Sequence, residues 1–201
     1  MLAKTLAPYD NVTVINGDIM KTDIKEIIDN FADGMPVAVC ANLPYYITTP
    51  IIMYLLESNV KLSSITVMVQ NEVAARLVAP PGSSDYGAIT AVLGFYGQAR
   101  KLFKVSAGSF MPAPKVDSAV VKIDLYPEPR YFPKDEKFFR NLIKAAFEMR
   151  RKTLVNAINS KFSHIDKGRI AEALVSLGFN ETVRGEKLST EDFVNLSNLL
   201  I

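Results

Sequence analysis

The sequence predicts an α/β fold: a sheet whose strands alternate with helices, followed by a small all-helical C-terminal domain. Three observations carry this reading. Apolar runs of strand length alternate with segments of helical period as far as Leu125. The run Val37–Ala41 is continuously apolar, as strands of parallel sheets are when both faces are covered. After Pro127-Glu128-Pro129 strand candidates cease and only helical periods remain.

Taken in order, Asn11–Ile15 (NVTVI) reads as a short strand with Asn16-Gly17-Asp18 at its C-terminal end, and Ile24–Phe31 as a helix. Val37–Ala41 is the next strand, buried on both faces, and it places Cys40 in the core as an inert thiol. Pro50 suits the first turn of a helix that runs to about Glu57. Ile65–Val69 is a strand and Asn71–Val78 a helix; Pro80-Pro81-Gly82-Ser83-Ser84 is a loop. Tyr86–Leu93 is helical, and Ala99–Val105 and Ala119–Leu125 complete the strands. The division falls between residues 1–129 and 130–201. In the second part Phe138, Phe139, Leu142, Ile143 and Ala146 form an apolar stripe, with Lys137, Arg140 and Lys144 on another face of that helix. Asp166 caps a helix ending near Gly178. Ser189 and Asp192 match a capping box, flanked by Leu188 and Phe193 as a hydrophobic staple.

Composition narrows the function classes. Apolar residues make up 49% and charged residues 22%, enough for a core and too apolar for a disordered chain. No apolar stretch approaches the ~20 residues of a membrane helix, and Met1–Asp10 lacks a signal-peptide pattern. A cytoplasmic, monomeric protein without a membrane partner is the expectation. One cysteine and one histidine exclude an internal disulfide and a zinc site of the usual composition, so no metal is expected. Net charge is only +2, yet residues 130–169 hold eleven Lys/Arg against four Asp/Glu. That block suits either a phosphate-binding surface or a solvated helix face.

Four motifs carry chemistry. Asn42-Leu43-Pro44-Tyr45 follows a buried strand, at the sheet edge where open α/β folds bind ligands. An adenine exocyclic amine is a poor nucleophile because its lone pair is spread into the ring. Two acceptors on its two hydrogens, the Asn42 side-chain oxygen and the Leu43 carbonyl, draw it towards a tetrahedral nitrogen. Pro44 fixes the turn that aims that carbonyl, and Tyr45 offers a face to an unstacked base. The alternative is a plain Asn-Pro turn with a core tyrosine. Asp18 either caps a helix or accepts from the adenine amine of a bound nucleoside. Ser109–Ser118 holds Phe110 and two prolines before a strand, either presenting the ring at the sheet edge or serving as a rigid connector. Arg150-Arg151-Lys152-Thr153 lies in the basic block, either phosphate-binding or a charged helix end.

Together these segments resemble the ribosomal RNA adenine dimethyltransferases, nearest to the bacterial KsgA type that acts on small-subunit RNA. The resemblance covers VINGD at 14–18, ANLPYYITTPII at 41–52, MVQNEVAARLVAPPGSSDYG at 68–87, FMPAPKVDSAVV at 110–121, AFEMRRKTLVNAI at 146–158 and RGEKLSTEDFVNL at 184–196. It implies a Rossmann-like class I methyltransferase sheet and transfer of two methyl groups to each target adenine of 16S ribosomal RNA, giving dimethyladenosine. The implied donor is S-adenosylmethionine. Asn42, Leu43, Pro44 and Tyr45 would form the catalytic loop, and Phe110 would stack on the target base. Asp18, Ile19 and Asn42 would contact the cofactor. Arg140, Lys144, Arg150, Arg151 and Lys152 would engage the small ribosomal subunit.

The sequence also departs from that family. No two glycines are separated by one residue, so the GxGxG-type loop of the family has no counterpart. The family's first two strands are expected to be missing, leaving Val37–Ala41 without a neighbour and apolar surface exposed. The 201-residue chain is accordingly expected to be inactive, and a non-catalytic ribosome-assembly or RNA-binding module is the alternative reading. A large-subunit RNA methylase shares the NLPY loop, but the FMPAPKVDS and LSTEDF segments favour the small-subunit type. A DNA amine methylase finds support in the NLPY loop alone.

Overall fold

The computed structural model describes residues 2–32 and 34–201. Its strands β1 (Val37–Asn42), β2 (Leu62–Gln70), β3 (Gly97–Val105) and β4 (Ser118–Leu125) form one mixed sheet in the order β1-β2-β4-β3. Its helices are α1 (Leu2–Leu6), α2 (Ile24–Phe31), α3 (Thr48–Glu57), α4 (Asn71–Leu77), α5 (Ala88–Tyr96), α6 (Glu136–Glu148), α7 (Leu154–Lys161), α8 (Lys167–Ser176) and α9 (Thr190–Leu200).

The parallel pair β1–β2 is joined through α3, and β4 inserts antiparallel between β2 and β3. Alternation of apolar residues sets the register. Ile65, Val67 and Val69 of β2 lie directly opposite Ile123, Val121 and Ala119 of β4, and all six are fully buried. Each buried Ile or Val contributes about 1.5–3 kcal/mol relative to exposure, so a one-residue slip would be costly. These residues share a core with Ile51, Ile52 and Leu55 of α3 and Ile24 of α2.

A second core lies among the later helices. Phe139, Leu142 and Ile143 of α6 meet Leu154 and Ile158 of α7, Ile170 and Leu174 of α8, and Phe193 and Leu196 of α9. Helix α5 joins the two cores: Leu93 belongs to the sheet core, Ala91 and Val92 to the helical one. Gly94 makes the approach of α5 to α9 possible, because a Cβ there would stand 2.3 Å from Thr190 Oγ1. The caps form as their residue types dictate. Asp135 accepts from Phe138 N at 2.9 Å, Asp166 from Gly168 N at 2.7 Å, and Ser189 and Asp192 cap α9 reciprocally. Gly178 ends α8 at φ 85°, with Phe179 N bonded back to Leu174 O at 3.0 Å. Leu188 and Phe193 are both fully buried, as a staple requires.

Three expectations fail, for one reason. Residues 12–16 form no strand, although α2, β1–β4 and the later helices appear close to where the pattern puts them. β1 alternates between half-buried and exposed residues instead of being buried on both faces. Cys40 is exposed, not an interior thiol. β1 keeps β2 as its neighbour on one side, but among the described residues nothing pairs with its other edge. The valines and isoleucine of the NVTVI segment therefore find no ladder and remain exposed.

Candidate active site

The C-terminal end of β1 is built to stop abruptly. Leu43 N still donates to Met68 O at 3.3 Å, one step beyond the last strand pair. Pro44, at φ −60° and ψ 131°, then turns the chain into a single 3-10 turn over Tyr45–Ile47 and on into α3. The Pro44 carbonyl is consumed locally: it accepts from Ile47 N at 3.2 Å and from Thr48 Oγ1 at 3.1 Å. No described group donates to the Leu43 carbonyl, and the Asn42 carboxamide makes no hydrogen bond among the described residues. Two acceptors on consecutive residues are thus left without a donor among the described residues.

Tyr45 is held. Its hydroxyl lies 2.6 Å from Ser118 Oγ, and Ser118 is fully buried at the first position of β4, opposite Gln70 of β2 and Val105 of β3. The ring is fixed by the sheet itself.

Phe110 arrives from the loop between β3 and β4, and Asp117 ties that loop. Asp117 Oδ1 accepts from Ala107 N at 2.9 Å, Oδ2 pairs with Lys104 at 2.6 Å, and its carbonyl accepts from Asn71 N at 2.9 Å. The Lys104 ammonium, with the Ala107 N–H behind it, holds the Asp117 carboxyl below its ordinary value. A 3-10 turn over Ala107–Ser109 follows from Ser106, and Phe110 N closes it on Ala107 O. Asn42, Leu43, Pro44, Tyr45, Phe110, Pro112 and Pro114 then line one cleft of about 340 Å³. No carboxylate, amine or imidazole lines it. On the exposed surface nearby in sequence are Tyr46, 88% exposed, and Met111, fully exposed.

The sequence-predicted residues thus divide. Asn42 to Tyr45 and Phe110, some seventy residues apart in the chain, come together. Asp18 caps the 3-10 turn Ile19–Lys21, accepting from Met20 N at 3.0 Å through Oδ1, which leaves Oδ2 unengaged among the described residues. The turn rests on α3, where the Tyr54 hydroxyl donates to Thr22 O. Of the basic residues, Arg140 is engaged by the Tyr96 hydroxyl at 3.0 Å and by Glu136 at 3.3 Å. Arg150 donates to the carbonyls of Ser84 and Tyr86, both at 3.0 Å, and so braces the loop before α5. Lys144, Arg151 and Lys152 face solvent. Ser118 and Asp117 were given no role by sequence reasoning. Both stand in the quoted FMPAPKVDS segment, but nothing local says that one reaches Tyr45 and the other ties the Phe110 loop.

The family model for ribosomal RNA adenine dimethylases matches residues 1–201. The chain is 46% identical over 197 residues to the ribosomal RNA small subunit methyltransferase A of Lachnoclostridium phytofermentans, covering 98% of this chain and 68% of that protein. It is 45% identical over 203 residues to the protein of that name from Bacillus pumilus, covering 100% of this chain and 70% of that one. A dimethyladenosine transferase of Plasmodium falciparum superposes with a TM-score of 0.78 at 27% identity, over 97% of this chain and 75% of that one. The 23S rRNA methyltransferase ErmE shares the fold, with a TM-score of 0.72 at 21% identity over 99% of this chain and 76% of its own.

Proposed function

The chain belongs to the ribosomal RNA adenine dimethylase family, and from that premise we propose how its own residues serve the reaction. The chemistry is S-adenosylmethionine-dependent methylation of ribosomal RNA adenine amines. When bound, S-adenosylmethionine supplies an electrophilic methyl group.

One observation carries the assignment of roles: Asn42 and Leu43, whose side-chain amide and carbonyl have no partner among the described residues, line the same cleft as Tyr45 and Phe110. The two acceptors take the two hydrogens of the target amine and draw its lone pair out of the ring. Tyr45, pinned through Ser118, and Phe110, pinned through Asp117, hold the base between aromatic walls. With no acid or base in the lining, rate enhancement comes from positioning. The proton released after transfer leaves to solvent at the open mouth.

The residues present fit part of the cofactor. Asp18 Oδ2 and the exposed Ile19 would hold its nucleoside half, and Asn42 would contact it as well. No glycine-rich turn follows a strand among the described residues, so these 201 residues contain no cradle for the methionine half. The 201-residue polypeptide by itself is expected to bind the cofactor weakly and to transfer no methyl groups. The chemistry is assigned to residues 1–129 and the grip on small-subunit RNA to residues 130–201. There Lys144, Arg151 and Lys152 meet phosphates, while Arg140 and Arg150 hold the scaffold. The substrate is the 16S RNA of the small subunit, and the working form is a monomer.

The test joins the family's glycine-loop region upstream of this chain and measures labelled methyl transfer to unmethylated small subunits. The joined protein is expected to transfer, Asn42→Ala to lose about 100-fold or more, and the 201 residues alone to transfer nothing. Transfer by the short chain would overturn the cofactor assignment. A joined protein that binds subunits without transferring would establish the non-catalytic assembly role instead.

A further inference from the structure

Between α3, α5 and α6 runs a groove of about 620 Å³ that shares no lining residue with the cleft at the end of β1. Its floor is apolar, made by Met53, Ile89, Val92 and Ile143. Its rim is cationic. Lys137 and Lys144 stand exposed on α6; Lys137 has no ion pair among the described residues, and Lys144 reaches Glu148 only at 4.0 Å. Arg140 forms a fixed wall through its bonds to Tyr96 and Glu136, and Glu57 is the single acidic group in the lining. The half-buried Asn141 carboxamide makes no hydrogen bond among the described residues and lines the groove.

These features suit a ligand with a largely apolar body, a hydrogen-bonding edge and an anionic tail. We propose that the groove takes an unpaired nucleotide of the RNA substrate, other than the adenine being methylated. The base lies on Met53, Ile89 and Val92, Asn141 reads its edge, and its phosphates meet Lys137 and Lys144. The assignment rests on the reading of the chain as an RNA methyltransferase.

Continuity with the cleft supports it. Helix α3 begins at Thr48, after the 3-10 turn Tyr45–Ile47 that ends the loop, and Thr49 already lines the groove. One helix therefore carries the cleft at its head and the groove along its side. Charge argues against an apolar peptide as occupant, because the groove opens into the segment with eleven basic and four acidic residues. A base seated on that apolar floor would fix the register of the strand feeding the cleft.

The test uses the 201-residue chain with labelled Ile, Leu, Val and Met methyl groups. It is titrated separately with an unstructured adenine-containing RNA hexamer, with adenosine 5′-monophosphate and with inorganic phosphate. The hexamer, and more weakly the monophosphate, should shift the methyls of Met53, Ile89, Val92 and Ile143 to saturation, and phosphate alone should not. Lys137→Gln with Lys144→Gln, both on the exposed face of α6, should lower the slope of log affinity against log salt by about 1.4, or about 0.7 for each lysine. Asn141→Ala should weaken hexamer binding without changing that slope. Silence of the groove methyls towards RNA, or an unchanged slope in the double variant, would overturn the proposal. So would identical shifts with phosphate alone, which would mark an anion site only. RNA that shifts Leu43 but not the groove overturns the groove and keeps the cleft; the reverse pattern keeps the groove and overturns the cleft.

Discussion

Replacing Tyr45 by Phe deletes one hydroxyl and strands another. Ser118 is fully buried, and Tyr45 is the sole partner of its Oγ among the described residues, at 2.6 Å. A buried hydroxyl left without a partner costs about 1–3 kcal/mol. Tyr45→Phe is therefore expected to destabilise the chain by about 2 kcal/mol, lowering its Tm by roughly 4–8 °C at this size. Ser118→Ala strands the other hydroxyl, but Tyr45 is only half-buried at the wall of an open cleft. Water replaces the lost partner there, and the cost falls to about 1 kcal/mol or less. The double variant loses the bond and strands nothing. Its cost should lie about 1–2 kcal/mol below the sum of the two singles. Urea unfolding followed by circular dichroism measures all four corners of the cycle. Strict additivity, or a Tyr45→Phe variant within about 0.5 kcal/mol of the parent, would show that the sheet does not hold the ring. In the joined methyltransferase, Ser118→Ala should also lower methyl transfer while leaving every residue of the cleft lining in place.

Two further outcomes follow from particular contacts. Because Lys104 and Ala107 N–H depress the Asp117 carboxyl below its ordinary value of 3.8, the stabilisation of the Phe110 loop is complete above the unfolded value and is lost as pH falls through the lower, folded one. The Ala107 amide shift should thus stay flat from neutral pH down to the ordinary carboxylate range and titrate only below it; a midpoint at or above 3.8 would refute the tie. Gly94→Ala would press a Cβ against Thr190 Oγ1 at 2.3 Å, and that hydroxyl is held by its bond to Ala91 O at 2.8 Å. A loss of about 1–3 kcal/mol is expected, partly rescued by Thr190→Ala; two additive losses would mean that α5 and α9 do not meet there.

The legible parts of this molecule are those whose physics is local. The capping box of Ser189 and Asp192, the stop at Gly178 and the stripe on α6 are each decided within a turn or two, and each appears where the pattern puts it. Asn42 to Tyr45 were legible for the same reason: Pro44 ends the strand locally, and the Asn42 amide and Leu43 carbonyl are left without a partner among the described residues. Ser118 and Asp117 were not, since their partners lie 73 and 10 residues away, across the β4 pairing. Arg140 and Arg150 show the converse. Expected to meet phosphates from their place in a basic run, they also carry hydrogen bonds to Tyr96, Ser84 and Tyr86 that no charge count reveals.

The NVTVI segment marks the limit of such reading. Its β-branched residues carry the propensity of a strand, but a strand is a property of a pair: its hydrogen bonds are made only on a neighbour's edge. Helix α2, only eight residues long, forms because its bonds close within itself and Asp23 caps it through Glu26 N at 3.1 Å. Cys40 fails as a core prediction for the same reason as NVTVI. An apolar run is buried only if something lies on it, and the face of β1 that carries Ala38, Cys40 and Asn42 is exposed. That exposure also places the Asn42 side chain on a face open to ligand. The mis-assigned strand face and the candidate catalytic amide are therefore one structural fact: sequence identified the amide from its motif, but only tertiary structure reveals the face on which it stands.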